Sequence, residues 1–159
     1  MKMDARLLRR GMRFWPPFLG AGIRVRSLAD DFREAVVELR LGRFNRNYVG
    51  THFGGSLYAM TDPFFMIMLL HNLGDDYLVW DKSGSIEYVA PSRGKVHAMF
   101  ALSEARIAEI RALAAGGEKV LPEFQVEVRQ VDDGSLVALV RKTLYVRLKP
   151  RRRPQDENP

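Results

Sequence analysis

One acidic residue stands alone in an apolar stretch. Asp62 lies inside the segment from Ser56 to Leu73, among Leu57, Ala59, Met60, Phe64, Phe65, Met66, Ile67, Met68, Leu69 and Leu70, and Pro63 follows it directly. A carboxylate in such a setting is costly unless it is paired or put to use. Two readings are open. Asp62 could serve as a base or nucleophile. It could instead bond the backbone groups freed by Pro63, or cap a second helix with Pro63 at its first position. Just before this segment lie Gly50, Gly54 and Gly55. A helix N-terminus presents unpaired N–H groups and partial positive charge, and Gly54 and Gly55 let an oxygen come close to them. That is oxyanion-hole geometry. Taken alone, the glycines are better met by a tight turn with Ser56 or Thr51 as helix cap.

These residues need a scaffold. The spacing predicts a helix from about Ser56 to Leu73, ended by Gly74. A helix that is apolar almost all round is buried on every side, so a sheet must wrap it. Residues 4–14 read as a short helix ended by Trp15-Pro16-Pro17, with Phe18 and Leu19 covering the edge of the core. Alternation predicts a hairpin from strands 23–28 and 32–41. Further strands are predicted at 77–80, 85–89, 96–102, 124–129 and 136–148, with a turn at Asp132-Asp133-Gly134. Residues 103–115 read as an amphipathic helix before Gly116-Gly117. The fold class is α+β: an antiparallel sheet around one long central helix. A single domain spans residues 1–148, and the basic tail 149–159 is expected to be disordered.

Composition narrows the function. The 159 residues are 47% hydrophobic and 28% charged, as in a globular domain. The absence of cysteine removes thiol catalysis and cysteine-bound metals. Three histidines, His52, His71 and His97, match no zinc spacing, so no metal is expected. The net charge is +6 with pI ≈ 9.9, part of it in terminal arginines. Basic ends attract phosphates in general, so nucleic-acid or anionic-membrane binding through the arginine tail is a third reading, ranked last because no aromatic-basic binding surface is visible. No apolar run reaches the roughly 20 residues of a membrane span, and the basic first residues lack a secretory core. A cytoplasmic protein is expected.

The pattern Asn47-x-x-Gly50-Thr51-x-Phe53-x-Gly55-Ser56-Leu57-Tyr58-Ala59, followed by Asp62, resembles the hotdog-fold thioesterases. The nearest branch is the uncharacterised thioesterase-like group related to phenylacetyl-CoA thioesterases, and the resemblance covers residues 5–148. It implies hydrolysis of acyl-CoA or acyl-carrier thioesters with neither metal nor cofactor. It also implies homodimers, often paired into tetramers, with sites between subunits. By the same resemblance Asp62 activates water or attacks the carbonyl, the Gly55 N–H polarises that carbonyl, and Asn47 orients water or carbonyl. Gly54, Thr51, His52 and Ser56 become substrate contacts, and Lys82 and Arg93 candidates for the CoA phosphates. The related branch carries His-Gly-Gly before the helix. Here the triplet is Phe53-Gly54-Gly55, and His52, one place earlier, is expected to be a solvent-facing loop residue. That departure leaves a second reading: a non-catalytic hotdog module that binds acyl-CoA.

Overall fold

The computed structural model describes residues 3–150. The chain opens with α1 (Ala5–Met12), which Asp4 caps by accepting from the Arg6 N–H at 2.7 Å. Pro16 and Pro17 do more than end α1. They occupy the first turn of a second helix, α2 (Pro16–Ala21), where a missing N–H costs nothing. Phe18 points into the core, whereas Leu19, expected at its edge, is exposed.

Strands β1 (Ile23–Leu28) and β2 (Glu34–Leu39) form the predicted hairpin. It starts later than alternation suggests, because Phe32 sits in the turn at φ 55° and stacks on His71. The central segment follows as α3 (Gly54–Ala59) and α4 (Phe64–Leu73). Next come β3 (Tyr77–Tyr88), β4 (Val96–Ala101), α5 (Glu104–Ala114), β5 (Glu123–Gln130) and β6 (Leu136–Leu148). The two short strands predicted at 77–80 and 85–89 are one strand, β3, and β6 is the partner that carries it through. Ser103 caps α5, and Gly134 takes a positive φ in the β5–β6 turn.

Six strands make one antiparallel sheet in the order β1-β2-β4-β5-β6-β3. Its inner face carries Val37, Leu39, Val96, Ala98, Val128, Val140, Leu144 and Val146, all fully buried. Phe64, Phe65, Met68 and Leu69 of α4 fill the hollow. The α+β arrangement inferred from the apolar central segment is therefore the one observed. The wrapping is incomplete, since Met66, Ile67 and Leu70 on one flank of α4 remain half-buried. The basic tail falls almost wholly outside the described residues. Within them, Lys149 is tied down: its N–H donates to Asp76 and its ammonium to the Asp75 carbonyl.

Candidate active site at the break in the central helix

The central helix is interrupted at Met60–Pro63. Pro63 has no N–H to continue the ladder, and the Thr61 hydroxyl closes the last turn of α3 by donating to the Tyr58 carbonyl at 2.8 Å. Asp62 does not cap α4; the cap position is Pro63 and no side chain bonds there. Its carboxylate turns to the sheet instead. Lys142 Nζ of β6 donates to Asp62 Oδ1 at 2.7 Å and stands 2.9 Å from Asp81 Oδ1 of β3. The second contact is a charge pair rather than an aligned hydrogen bond, for Asp81 Oδ1 has no hydrogen-bond partner.

The Lys142 side chain is 2% exposed and that of Asp62 is 49% exposed, so the lysine is sealed while the carboxylate still meets solvent. Burial disfavours charge on Lys142, but the hydrogen bond and charge of Asp62, with Asp81 beside it, outweigh that and raise its pKa above the usual 10.5. A β-bulge at Lys82 makes the cluster possible. The register with β6 slips between Asp81 and Ser83, so Asp81 and Gly84 both face inward although three residues apart. Tyr58 of α3 lies against Gly84, where a Cβ would collide with its hydroxyl, and its ring centroid is 5.5 Å from Lys142 Nζ.

Sequence reasoning missed Lys142, Asp81 and Tyr58. A signal for Lys142 existed. Ala138, Val140, Leu144 and Val146 form the inward row of β6, and Lys142 is the one charge in that row.

The loop before α3 forms a second region. Asn45 braces it, donating to the carbonyls of Ala21 and Arg40 and accepting from the Gly42 N–H. Asn47 is fully engaged as well. Its amide donates to Thr51 Oγ1 and the His52 carbonyl, and its oxygen accepts from the N–H of Val49 and Thr51. Neither Thr51 nor Ser56 caps α3; both are buried, and the cap position falls to Phe53. His52 is not solvent-facing. It is 4% exposed, and its Nε2 donates to the Gly94 carbonyl at 2.7 Å, leaving Nδ1 without a partner. Burial pushes its pKa below 6.5, and the bond to Gly94 only partly offsets this.

Asn47, Thr51, His52, Gly54 and Gly55 line one groove of about 500 Å³, closed on the far side by Tyr88 to Ser92. The N–H groups of Gly54 and Gly55 have no hydrogen-bond partner among the described residues. A Cβ on Gly54 would strike the Tyr88 hydroxyl, and one on Gly55 would strike the Phe53 ring, which leans over it. Arg93 is exposed beside the groove, donating to the Val49 carbonyl at 3.4 Å. Lys82 is exposed on the β3 bulge. Asp62 does not line this groove: within one chain the structure groups the loop residues and the Asp62 cluster separately. Among the described residues no group of three or more acidic or histidine side chains could hold a metal, and no helix is long and apolar enough to cross a membrane.

A family model described as a domain of unknown function, DUF4442, matches residues 4–146. The chain belongs to the DUF4442 family. No curated protein matches it. Among solved structures it resembles a protein of unknown function from Pseudomonas aeruginosa whose description includes the word thioesterase, at 17% identity and TM-score 0.81, over 93% of this chain and 98% of that one. It resembles a Haemophilus influenzae thioesterase at 14% identity and TM-score 0.66, over 93% of each chain. It also resembles thioesterase superfamily member 2 of Mus musculus at 18% identity and TM-score 0.62, over 91% and 98%. At these identities the likeness is one of fold. This DUF4442 chain has the hotdog fold.

Proposed function

We propose that the protein hydrolyses thioesters of acyl-CoA or an acyl carrier, without metal or cofactor. The observation that supports this best is Asp62: a half-exposed carboxylate at a break in a buried helix, fixed by a sealed ammonium. A carboxylate so held can take a proton from water as that water attacks a carbonyl, or attack the carbonyl itself. Either route places negative charge on the carbonyl oxygen. The unpartnered amides of Gly54 and Gly55 are suited to receive it. The thiolate leaves and takes up a proton; on the second route water then cleaves the mixed anhydride left on Asp62, releasing the acid and restoring the carboxylate. Asn47 acts here through the loop, since its hydrogen bonds hold Thr51 and His52 in place around the amides. Arg93, at the rim, is placed to meet a phosphate of the CoA portion.

Asp62 and the groove at Gly55 are separate within one chain, which favours a homodimer or tetramer whose sites are shared between subunits. Two further features favour association. β3 is an edge strand twelve residues long, and the α4 flank of Met66, Ile67 and Leu70 is only half covered.

One observation favours the second reading, a module that binds acyl-CoA without turnover: the Phe53 ring leans over Gly55, where the related branch has histidine. Release of free thiol from aryl, short-chain and long-chain acyl-CoA separates the two. Hydrolysis predicts release from at least one class, falling at least about a hundredfold in Asp62→Ala with an unchanged circular dichroism spectrum. Binding with no release would establish the second reading. Release reduced only severalfold would remove Asp62 from the essential role.

A further inference from the structure

The N-terminal helices carry a surface that chemistry at Asp62 does not use. Arg9 and Arg10 of α1, with Arg13 just after it, face Arg24 and Arg26 of β1 across a hollow of about 260 Å³. A neighbouring hollow shares Arg24 and Arg26 and adds Arg40 and Lys95. Against these seven cations stands Glu38, which pairs with Arg26 at 3.2 Å and lies 3.9 Å from Lys95. Arg10, Arg13, Arg24 and Arg40 meet no carboxylate among the described residues. So dense a field of one sign, folded into fixed elements, is complementary to an extended anionic partner.

The same helices and the turn between them expose apolar side chains. Leu7, Phe14, Trp15 and Leu19 are 61%, 74%, 42% and 63% exposed. On α1, Ala5 and Met12 turn to the core, Arg6, Arg9 and Arg10 follow along one flank, and Leu7 lies on the outer face; Arg13, Phe14 and Trp15 follow in the turn to α2. Aromatic and leucine side chains outward, with arginines at their side, is the pattern of a helix that lies in a membrane interface. A soluble phosphate or a nucleic acid would use the arginines and leave Leu7, Phe14 and Leu19 in water. A lipid surface takes both: headgroup phosphates meet the arginines and the acyl boundary receives the apolar row.

We propose that α1, α2 and the β1 arginines form a docking face for an anionic lipid bilayer. The inference is independent of any reaction at Asp62. The face lies flat on the membrane with no segment crossing it.

The test is sedimentation of the full-length chain with vesicles of phosphatidylcholine, with or without phosphatidylglycerol, at several salt concentrations. Binding should require the anionic lipid and weaken as salt rises. The triple variant Arg10→Gln/Arg13→Gln/Arg24→Gln should lose about a hundredfold in partition, from roughly fivefold per cation at the membrane surface. Phe14→Ser should also weaken binding, whereas Arg151→Ser/Arg152→Ser/Arg153→Ser should retain most of it. In a Trp80→Phe background, Trp15 emission should shift to shorter wavelength on anionic vesicles and stay unchanged with inorganic phosphate. Equal binding by wild type and the triple variant would overturn the proposal. So would loss on changing 151–153 alone, or tight binding of duplex DNA without vesicle binding. A Phe14→Ser variant that dissociates the oligomer yet binds vesicles normally would assign the apolar row to contact between copies.

Discussion

Lys142 and His52 each make a measurable claim. Lys142 is a buried cation between two carboxylates. Replacing it with methionine leaves Asp62 and Asp81 facing one another with no charge between them. Lys142→Met should therefore cost about 2 kcal/mol, less than a wholly sealed pair because Asp62 remains half in water. Denaturant unfolding reads this, and an unchanged midpoint would show that the pair carries no stability. His52 makes a claim about pH. Its folded pKa lies below 6.5, so the unfolded chain binds the extra proton first. Stability should hold above pH 6.5 and fall as pH drops below it, and His52→Gln should flatten that limb. Thermal unfolding between pH 5 and 7 checks this; identical profiles would contradict it. His52 also marks a limit of sequence reading. It stands in a glycine-rich loop, so it looks exposed, but Gly94, 42 positions later, supplies the carbonyl that seals it.

At the scale of elements, the central helix and the β3 bulge work as one device. The break at Asp62-Pro63 was legible because proline has no donor and a lone aspartate on an apolar segment invites explanation. The bulge was not legible. Residues 77–89 show two short alternating runs out of phase, which read as two strands until β6 provides a partner for both. The phase change itself brings Asp81 and Gly84 to the same face. Gly84 has no side chain because Tyr58 occupies that space. Gly84→Ala should force the tyrosine aside and cost about 1–3 kcal/mol. Removing the offending hydroxyl in Gly84→Ala/Tyr58→Phe should recover part of that cost. A double-mutant cycle measures the coupling, and strictly additive effects would argue against the contact.

At the scale of the molecule, a sheet of six strands hides most of one helix, and this much followed from the helix being apolar nearly all round. Residues from distant strands were harder to foresee. Lys142 sits 80 positions from Asp62, and only the strand order β5-β6-β3 places it beneath the helix break. The same scale governs catalysis as proposed. In the reaction proposed above, Asp62 and the free amides at Gly55 would be the two halves of the site, and a second copy of the chain would unite them. The two halves can be disabled separately. Asp62→Ala removes the carboxylate. Gly55→Pro removes the amide donor at the second position of α3, where α2 carries Pro17, and also turns aside the Phe53 ring that leans over Gly55. Each variant alone should release almost no thiol from a substrate that wild type hydrolyses. The deciding measurement is thiol release after the two inactive variants are unfolded together and refolded as a mixture. A shared site predicts recovery of about a quarter of wild-type activity, because half of the dimers are mixed and each mixed dimer holds one intact site. No recovery, with mixed dimers shown to have formed, would contradict a site built from Asp62 of one copy and Gly55 of the other.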